Sequence, residues 1–376
     1  MKIGILKEPE IENRVALLPD QVKKLKSENI HIMFEKGAGK NAFASDADYK
    51  EAGAEVVSRK YILENAEMIL GIHLPAEEEI NALKQNQILI FVINPLVYTE
   101  SVRILKDKGL TAFSLDIVPR ITRAQDKDIL SSMATVSGYK AVLDAALALP
   151  RFFPMFMTAA GTIRPAKVLV LGAGVAGLQA IATARRLGAQ VEAFDVRSEV
   201  KEQVHSLGAK FVEVEGARED KSAGGYAVEQ TEEYKQKQQQ LVQEHAKNSN
   251  VVITTAQIPG RKAPVLITRE TVENMSPGSV IVDLAADSGG NCEVTEKGKN
   301  IVFNQVRVLG KTDYPSTMPI DASHMYGNNL INFLKLLISK KGELTLDFDD
   351  EILKQSCVSH HNEILSDRVK KFIEKL

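Results

Sequence analysis

The chain has 376 residues, 47 Lys and Arg against 49 Asp and Glu, a formal net charge of −2 and two cysteines. The length allows two domains with sizeable cores, and 44% hydrophobic with 26% charged content reads as soluble and globular. Near-neutral charge gives no polybasic field for nucleic acid or anionic lipid, and Cys292 and Cys357 in no metal-ligand spacing imply a reducing compartment without a disulfide framework.

Met1-Lys2-Ile3-Gly4-Ile5-Leu6 reads as a short strand followed by charge, not as a secretory signal. No apolar run approaches the roughly eighteen residues of a membrane span. The longest candidate, Ala141 to Leu149, is interrupted by Asp144 and stopped by Pro150, so no direct membrane insertion is expected. After the strand Lys2–Leu6, the pattern predicts a helix over Asp20–Asn29 and strands at Ile32–Glu35, Met68–His73 and Ile88–Ile93. A helix at Glu100–Lys108 and a strand at Thr111–Ser114 follow. This alternation predicts a parallel sheet with helices on both faces and no glycine phosphate loop. A long helical pattern from Ile129 to Leu149 then leads towards a second domain opened by Arg164-Pro165.

The strand-like run Lys167–Leu171 flows straight into Gly172-Ala173-Gly174-Val175-Ala176-Gly177, a helical run follows, and a second strand-like run ends at Asp195. Those are the parts of a dinucleotide cradle in order. The first Gly permits a tight turn, the second lets backbone N–H groups approach a pyrophosphate, and the third lets the helix pack on the strand. The helix start, with Val175 and Ala176, turns its positive end to the phosphates. Asp195 is expected to accept the adenosine ribose hydroxyls, with Val196 and Arg197 beside it. A carboxylate about 4 Å from a 2′-phosphate repels it by roughly 1–4 kcal/mol at surface-like dielectric, which favours NAD over NADP. Arg197 would soften that repulsion.

Further strands are expected at Lys210–Val214, Val251–Thr254, Val280–Leu284, Ile301–Phe303 and Val306–Leu309, a Rossmann-type succession. The polar stretch Glu215–Tyr234 contains Gly224-Gly225-Tyr226 and reads either as a surface loop or as a lid over the cofactor. Lys235–Lys247 reads as a solvated helix with little to bury. Leu330–Leu337 is helical and expected to return the chain to the first domain. Ser366–Leu376 is amphipathic, with Val369, Phe372, Ile373 and Leu376 on one face, and is expected to dock on its own domain. The fold class is thus α/β, with two Rossmann-like doubly wound parallel-sheet domains separated by a cleft. One spans residues 1–128 plus 320–376, the other 129–319.

Pro119-Arg120-Ile121-Thr122-Arg123-Ala124-Gln125-Asp126-Lys127-Asp128, continuing to Ser132, resembles the nicotinamide loop of the NAD(H)-binding subunit of proton-translocating transhydrogenases. Met157–Thr162, the Gly172–Gly177 turn, Ala223–Ala227, Thr254–Gly260 and Asp283–Asn291 fit the same family. Alanine dehydrogenases belong to the same superfamily, and Glu8, Asn13-Arg14-Val15-Ala16 and Pro19 fit both branches. The branches separate at the chemistry. Alanine dehydrogenases use a Lys and a His in the first domain, and those positions here hold His73 and Asn94. That departure disfavours an amino-acid dehydrogenase, which needs a general acid. Transfer of hydride between two nicotinamides needs none; it needs the rings aligned and water excluded.

The resemblance implies that Arg120, Gln125, Asp128 and Ser131 orient the nicotinamide carboxamide, and that Gly225 and Tyr226 belong to a mobile lid. It also implies that Thr255, Ala256 and Gln257 line the nucleotide. Gln125 and Asp128, three apart, are expected to share a helix face, with Arg120 reaching back to pair with Asp128. The resemblance further implies NAD(H) on this chain and NADP(H) on a partner subunit. It implies a homodimer, and a membrane-spanning proton-channel subunit that holds the chain at the cytoplasmic face of the inner membrane. An alanine dehydrogenase and a non-catalytic dinucleotide sensor are the alternative readings.

Overall fold

The computed structural model describes residues 1–26, 29–213, 232–258 and 260–375, so the expected Gly225–Tyr226 lid lies outside the described residues. The chain divides into two compact units, Met1–Met133 with Pro315–Leu376, and Ala134–Tyr314. The first boundary falls inside the helix Ile129–Ala148.

The first unit is built on a seven-stranded sheet ordered Cys357–Ser359, Thr111–Ser114, Ile88–Val92, Met68–His73, Lys2–Ile5, His31–Glu35, Glu55–Val57. Every pairing is parallel except that of the edge strand Cys357–Ser359. Its strands are near-continuous apolar runs because parallel strands are covered on both faces. Alternate residues feed two separate cores, as the two-residue period of a strand requires. Ile3, Ile5, Met68, Leu70, Ile88 and Ile90 share one, while Met33, Ile69, Leu89 and Phe91 share the other.

The second unit repeats the plan with the order Lys210–Phe211, Gln190–Phe194, Lys167–Leu171, Val251–Thr254, Val280–Asp283, Val306–Leu309, Asn300–Phe303. Again, among the described residues, only an edge strand, Asn300–Phe303, runs antiparallel. Val168, Val170, Val251 and Ile253 lie in one core, and Leu169, Leu171, Val252 and Ile281 in the other. Both sheets are doubly wound, as the sequence pattern predicts. A two-stranded hairpin, Phe156–Thr158 with Gly161–Ile163, stands outside the sheet.

Several elements differ from expectation. The helix expected over Asp20–Asn29 is Pro19–Leu25, and the chain leaves helical geometry at Lys26. The return helix is longer than its apolar run, Pro319–Leu337, because Pro319 at its first turn is already set for helix. The helix Glu232–Lys247 is not merely solvated: Val242 and Ala246 are buried in a core. The closing helix is Asp367–Ile373, with Val369 fully buried and Ile373 packed beside it in the first unit's core.

Candidate functional site

In the second unit the chain runs outward from the inner strand Lys167–Leu171 and later crosses to Val251–Thr254 on its other side. The point between these two strands is the topological switch, where open α/β sheets bind ligands beyond the strand ends. Gly172 and Thr255 meet there. Gly172 has φ +100°, and a Cβ on it would strike the Thr255 hydroxyl. Thr255 Oγ1 donates to the carbonyls of Leu171 (3.3 Å) and Gly172 (3.2 Å), so its hydroxyl braces the turn. A Cβ on Gly177 would strike the Gly172 carbonyl, so helix and strand pack closely only because both are bare. A Cβ on Gly174 would meet open space. Those three environments match the tight turn, the close packing and the open approach of a pyrophosphate cradle.

The helix Val175–Arg186 starts at Gly174 with no side-chain cap and no acidic residue in its first turn. Its first N–H groups and its dipole are therefore free to meet an anion. Gly138, on the helix Ile129–Ala148, lies against Ala176; a Cβ there would strike the Ala176 carbonyl. Asp195 follows the strand Gln190–Phe194 and accepts Ala173 N–H at 2.7 Å, which ties the acid to the glycine turn. Arg197 closes on it with Nε and Nη2, both at 3.0 Å, and Val196 is exposed.

Two residues the motif reading left without roles hold the far wall. Asp283 is fully buried at the end of its strand. Its carboxylate accepts Thr254 Oγ1, Thr295 Oγ1 and the N–H groups of Ala285, Asn291 and Cys292, at 2.7–3.1 Å. The Asn291 side chain thus fixed accepts Ala256 N–H at 3.0 Å and donates to the carbonyls of Ala256 (2.9 Å) and Pro264 (2.7 Å). This network sets the path of Thr255-Ala256-Gln257. Gln257 is exposed and donates to Leu284 O. Burial pushes the neighbouring Cys292 thiol up to about 11.

In the first unit, the expected nicotinamide loop is a 3₁₀ turn, Thr122–Lys127, pinned from several directions. Arg123 forms a two-point ion pair with Asp350 at 2.6 and 3.0 Å. Asn329 and Asn332 donate to the Asp126 carbonyl, and Ala124 and Ile129 are buried in the core. Asp128 and Ser131 come together, but not as the spacing suggested. Asp128 has extended backbone and caps the helix Ile129–Ala148, accepting Ser131 N–H at 3.0 Å and Ser131 Oγ at 2.6 Å. Gln125 and Asp128 therefore straddle a 3₁₀–α junction and do not share one α-helical face. Among the described residues no ion pair joins Arg120 to Asp128; the cap uses the carboxylate locally. Arg120 and Gln125 are exposed on an anchored turn.

The first unit has its own switch point, between Lys2–Ile5 and Met68–His73. No glycine turn occupies it. Glu8 does: its buried carboxylate accepts the N–H groups of Ile72 (2.6 Å) and His73 (2.9 Å), and His73 Nδ1 lies at 3.1 Å. Beside it Glu12 binds Arg14 through Nε (2.8 Å) and Nη2 (2.6 Å). Asn94 has φ +52° and donates its N–H to Asp116, a turn geometry that suits asparagine.

The models for the alanine dehydrogenase/PNT N-terminal and C-terminal domains match residues 4–137 and 141–367. An NAD(P) transhydrogenase subunit alpha polypeptide of Rhodospirillum rubrum is 44% identical over 97% of this chain and 98% of its own.

The chain belongs to the NAD(P) transhydrogenase alpha-subunit family.

A transhydrogenase structure from Sinorhizobium meliloti superposes with a TM-score of 0.85 at 40% identity, covering 98% of this chain and 100% of that one. The alanine dehydrogenase of Mycolicibacterium smegmatis is more distant, 27% identical over 100% of this chain and 97% of its own. Family members are thus an oxidoreductase component, and the amino-acid dehydrogenase alternative is the remoter branch. Among the described residues, no helix is long and apolar enough to cross a membrane.

Proposed function

We propose that this chain is the NAD(H)-binding component of a proton-translocating transhydrogenase. It exchanges hydride between NADH and an NADP held by a partner subunit. The observation that carries this reading is the glycine turn at the switch point, with Gly174 open, the helix start uncapped and Asp195 tied to the turn. NADH supplies a hydride at its nicotinamide C4, and no proton moves to or from the reacting atoms.

The chain's residues then have binding and orienting tasks. The N–H groups of Gly174, Val175, Ala176 and Gly177 meet the pyrophosphate. Asp195, flanked by Val196 and Arg197, receives the adenosine ribose, while Thr255, Ala256 and Gln257 form the facing wall. Arg120 and Gln125 present donors and an acceptor to the nicotinamide carboxamide, and the Asp128–Ser131 cap holds the turn beneath them. The resemblance assigns Gly225 and Tyr226 to the nucleotide site as well; both lie outside the described residues. The Lys and His positions of alanine dehydrogenases hold His73 and Asn94, and the Asn94 side chain has no ionisable proton to give, consistent with a reaction that needs no general acid. The chain works as a homodimer at the cytoplasmic face of the inner membrane, where a membrane-spanning subunit couples the redox step to proton translocation.

The test mixes the purified chain with an NADP-binding transhydrogenase component and follows labelled hydride from NADH. Stereospecific transfer only in the mixture is expected, with no turnover of pyruvate, ammonia and NADH by the chain alone. Tight NADH binding without transfer in the mixture would sink the proposal.

A further inference from the structure

The 3₁₀ turn Thr122–Lys127 runs for six residues, longer than such turns usually hold by themselves, because their hydrogen bonds are poorly aligned. Its shape is set by contacts from distant parts of the chain. Ala124 is buried in the first unit's core, and Asn329 and Asn332 hold the Asp126 carbonyl at 2.9 and 3.1 Å. Arg123 adds a further tie: its two terminal nitrogens reach the two oxygens of Asp350 at 2.6 and 3.0 Å. Asp350 is itself fixed. It caps the helix Glu351–Ser356, with Oδ1 accepting the N–H groups of Ile352 (2.7 Å) and Leu353 (3.4 Å). Both of those side chains lie in the same core as Ala124. Gln125 is exposed between residues held on either side of it.

We propose that Arg123 and Asp350 are positioning residues for hydride transfer, a clamp that fixes the direction in which the turn presents Arg120 and Gln125 to the nicotinamide. The inference rests on the proposed transfer between two nicotinamides and names residues that act on it without touching the nucleotide. Arg123 is 55% exposed, so the pair contributes little to global stability. Its value lies in geometry: a planar guanidinium on both oxygens of a carboxylate fixes angle as well as distance. The reaction is sensitive to that, because the two reacting carbons must meet at roughly 3–3.5 Å and a displacement of about 1 Å can cost a hundredfold in rate. The hydrogen bonds from Arg123 also hold the Asp350 carboxyl below its ordinary pKa, so the clamp stays charged throughout the physiological range. Rate and stability therefore separate: loss of the clamp slows transfer while the fold remains.

The experiment measures labelled hydride transfer at saturating NADH, with an NADP-binding transhydrogenase component present, for the full chain and for Arg123→Gln, Asp350→Asn, the double variant and Arg123→Lys. Asparagine is itself a good helix cap, so Asp350→Asn removes the charge and keeps the helix start. Each charge-removing variant is expected to transfer hydride at least fivefold more slowly, with the NADH dissociation constant within threefold and the urea midpoint close to that of the unaltered chain. The double variant should be no slower than the slower single one, because one clamp is lost only once. Arg123→Lys keeps the charge without the fork and should recover only part of the rate. A loss below fivefold in a folded Arg123→Gln overturns the proposal, as do losses that multiply in the double variant or full recovery with lysine. Unfolding of either single variant would make the pair a prop of the fold and overturn it too. No transfer by the unaltered chain, with NADH bound, would instead remove the functional reading beneath it.

Discussion

Gly172, Gly174 and Gly177 are one residue type used for three reasons, and alanine separates them. Ala at Gly177 would drive its methyl into the Gly172 carbonyl, and Ala at Gly172 would meet Thr255 from a left-handed backbone. Each is expected to cost about 1–3 kcal/mol of stability, the usual penalty for overpacking or for a non-glycine residue at positive φ. Gly174→Ala has open space, so its stability should stay within about 0.5 kcal/mol, typical of an unobstructed surface change. Its NADH affinity should nevertheless drop tenfold or more, because the methyl stands where the pyrophosphate comes closest. Urea melts and NADH titrations on the three variants check this. A Gly174→Ala protein that binds NADH normally would remove the pyrophosphate from that turn. Asn291 gives a second residue-scale test. Asn291→Ala leaves Ala256 N–H and the carbonyls of Ala256 and Pro264 without their partner. A loss of about 1–3 kcal/mol is expected in urea melts, the cost of stranding buried polar groups, with a weaker NADH site as well.

Glu12 and Arg14 show how an element-level contact answers to pH. Burial acts to raise the Glu12 pKa and is the largest influence, but the hydrogen bonds and charge of Arg14 outweigh it, and the net shift is below the ordinary 4.5. A depressed carboxylate contributes stability that is complete above its unfolded pKa and is lost as pH falls through its lower folded value. Glu12→Gln strands a largely buried guanidinium, so it should be less stable than the parent by about 3–5 kcal/mol at pH 7. That difference should shrink steadily from pH 5 to pH 3. Parallel urea midpoints across that range would mean that Glu12 is not the titrating partner.

The inner strands of both sheets are legible because parallel strands buried on two faces are written as plain apolar runs, as in Val251–Thr254, whereas the half-exposed edge strand Glu55–Val57 carries no such run. The glycine turn was legible because backbone geometry demands glycine there. What stayed hidden depends on contacts far apart in sequence. The edge strand Cys357–Ser359 is defined by its partner Thr111–Ser114. The role of Asn291 arises from Asp283 on one side and Ala256 on the other. The misplaced Arg120–Asp128 pair has the same origin: spacing shows which residues are near, but not that a helix start claims the carboxylate first.

At the scale of the whole molecule, one element lacks a reason within the second unit. Every strand residue of the hairpin Phe156–Thr158 and Gly161–Ile163 is exposed, including Phe156, Met157 and Ile163, and Phe152 packs on Phe156 with ring centroids 4.6 Å apart. A lone two-stranded hairpin is marginal in water, and a cluster of exposed apolar side chains marks a surface that another chain covers. In the proposed homodimer, the second copy of the chain is expected to cover this hairpin. Phe156→Ser with Met157→Ser should leave the sheet core intact, because neither residue belongs to it. Thermal melts would confirm the fold, and sedimentation equilibrium at micromolar concentration should show a dimer for the unaltered chain and a monomer for the double variant. If the hairpin is the dimer face, dilution of the unaltered protein should reach the same monomer that substitution creates. A dimer that persists in the double variant would place the interface on another surface and leave the hairpin free for a different partner.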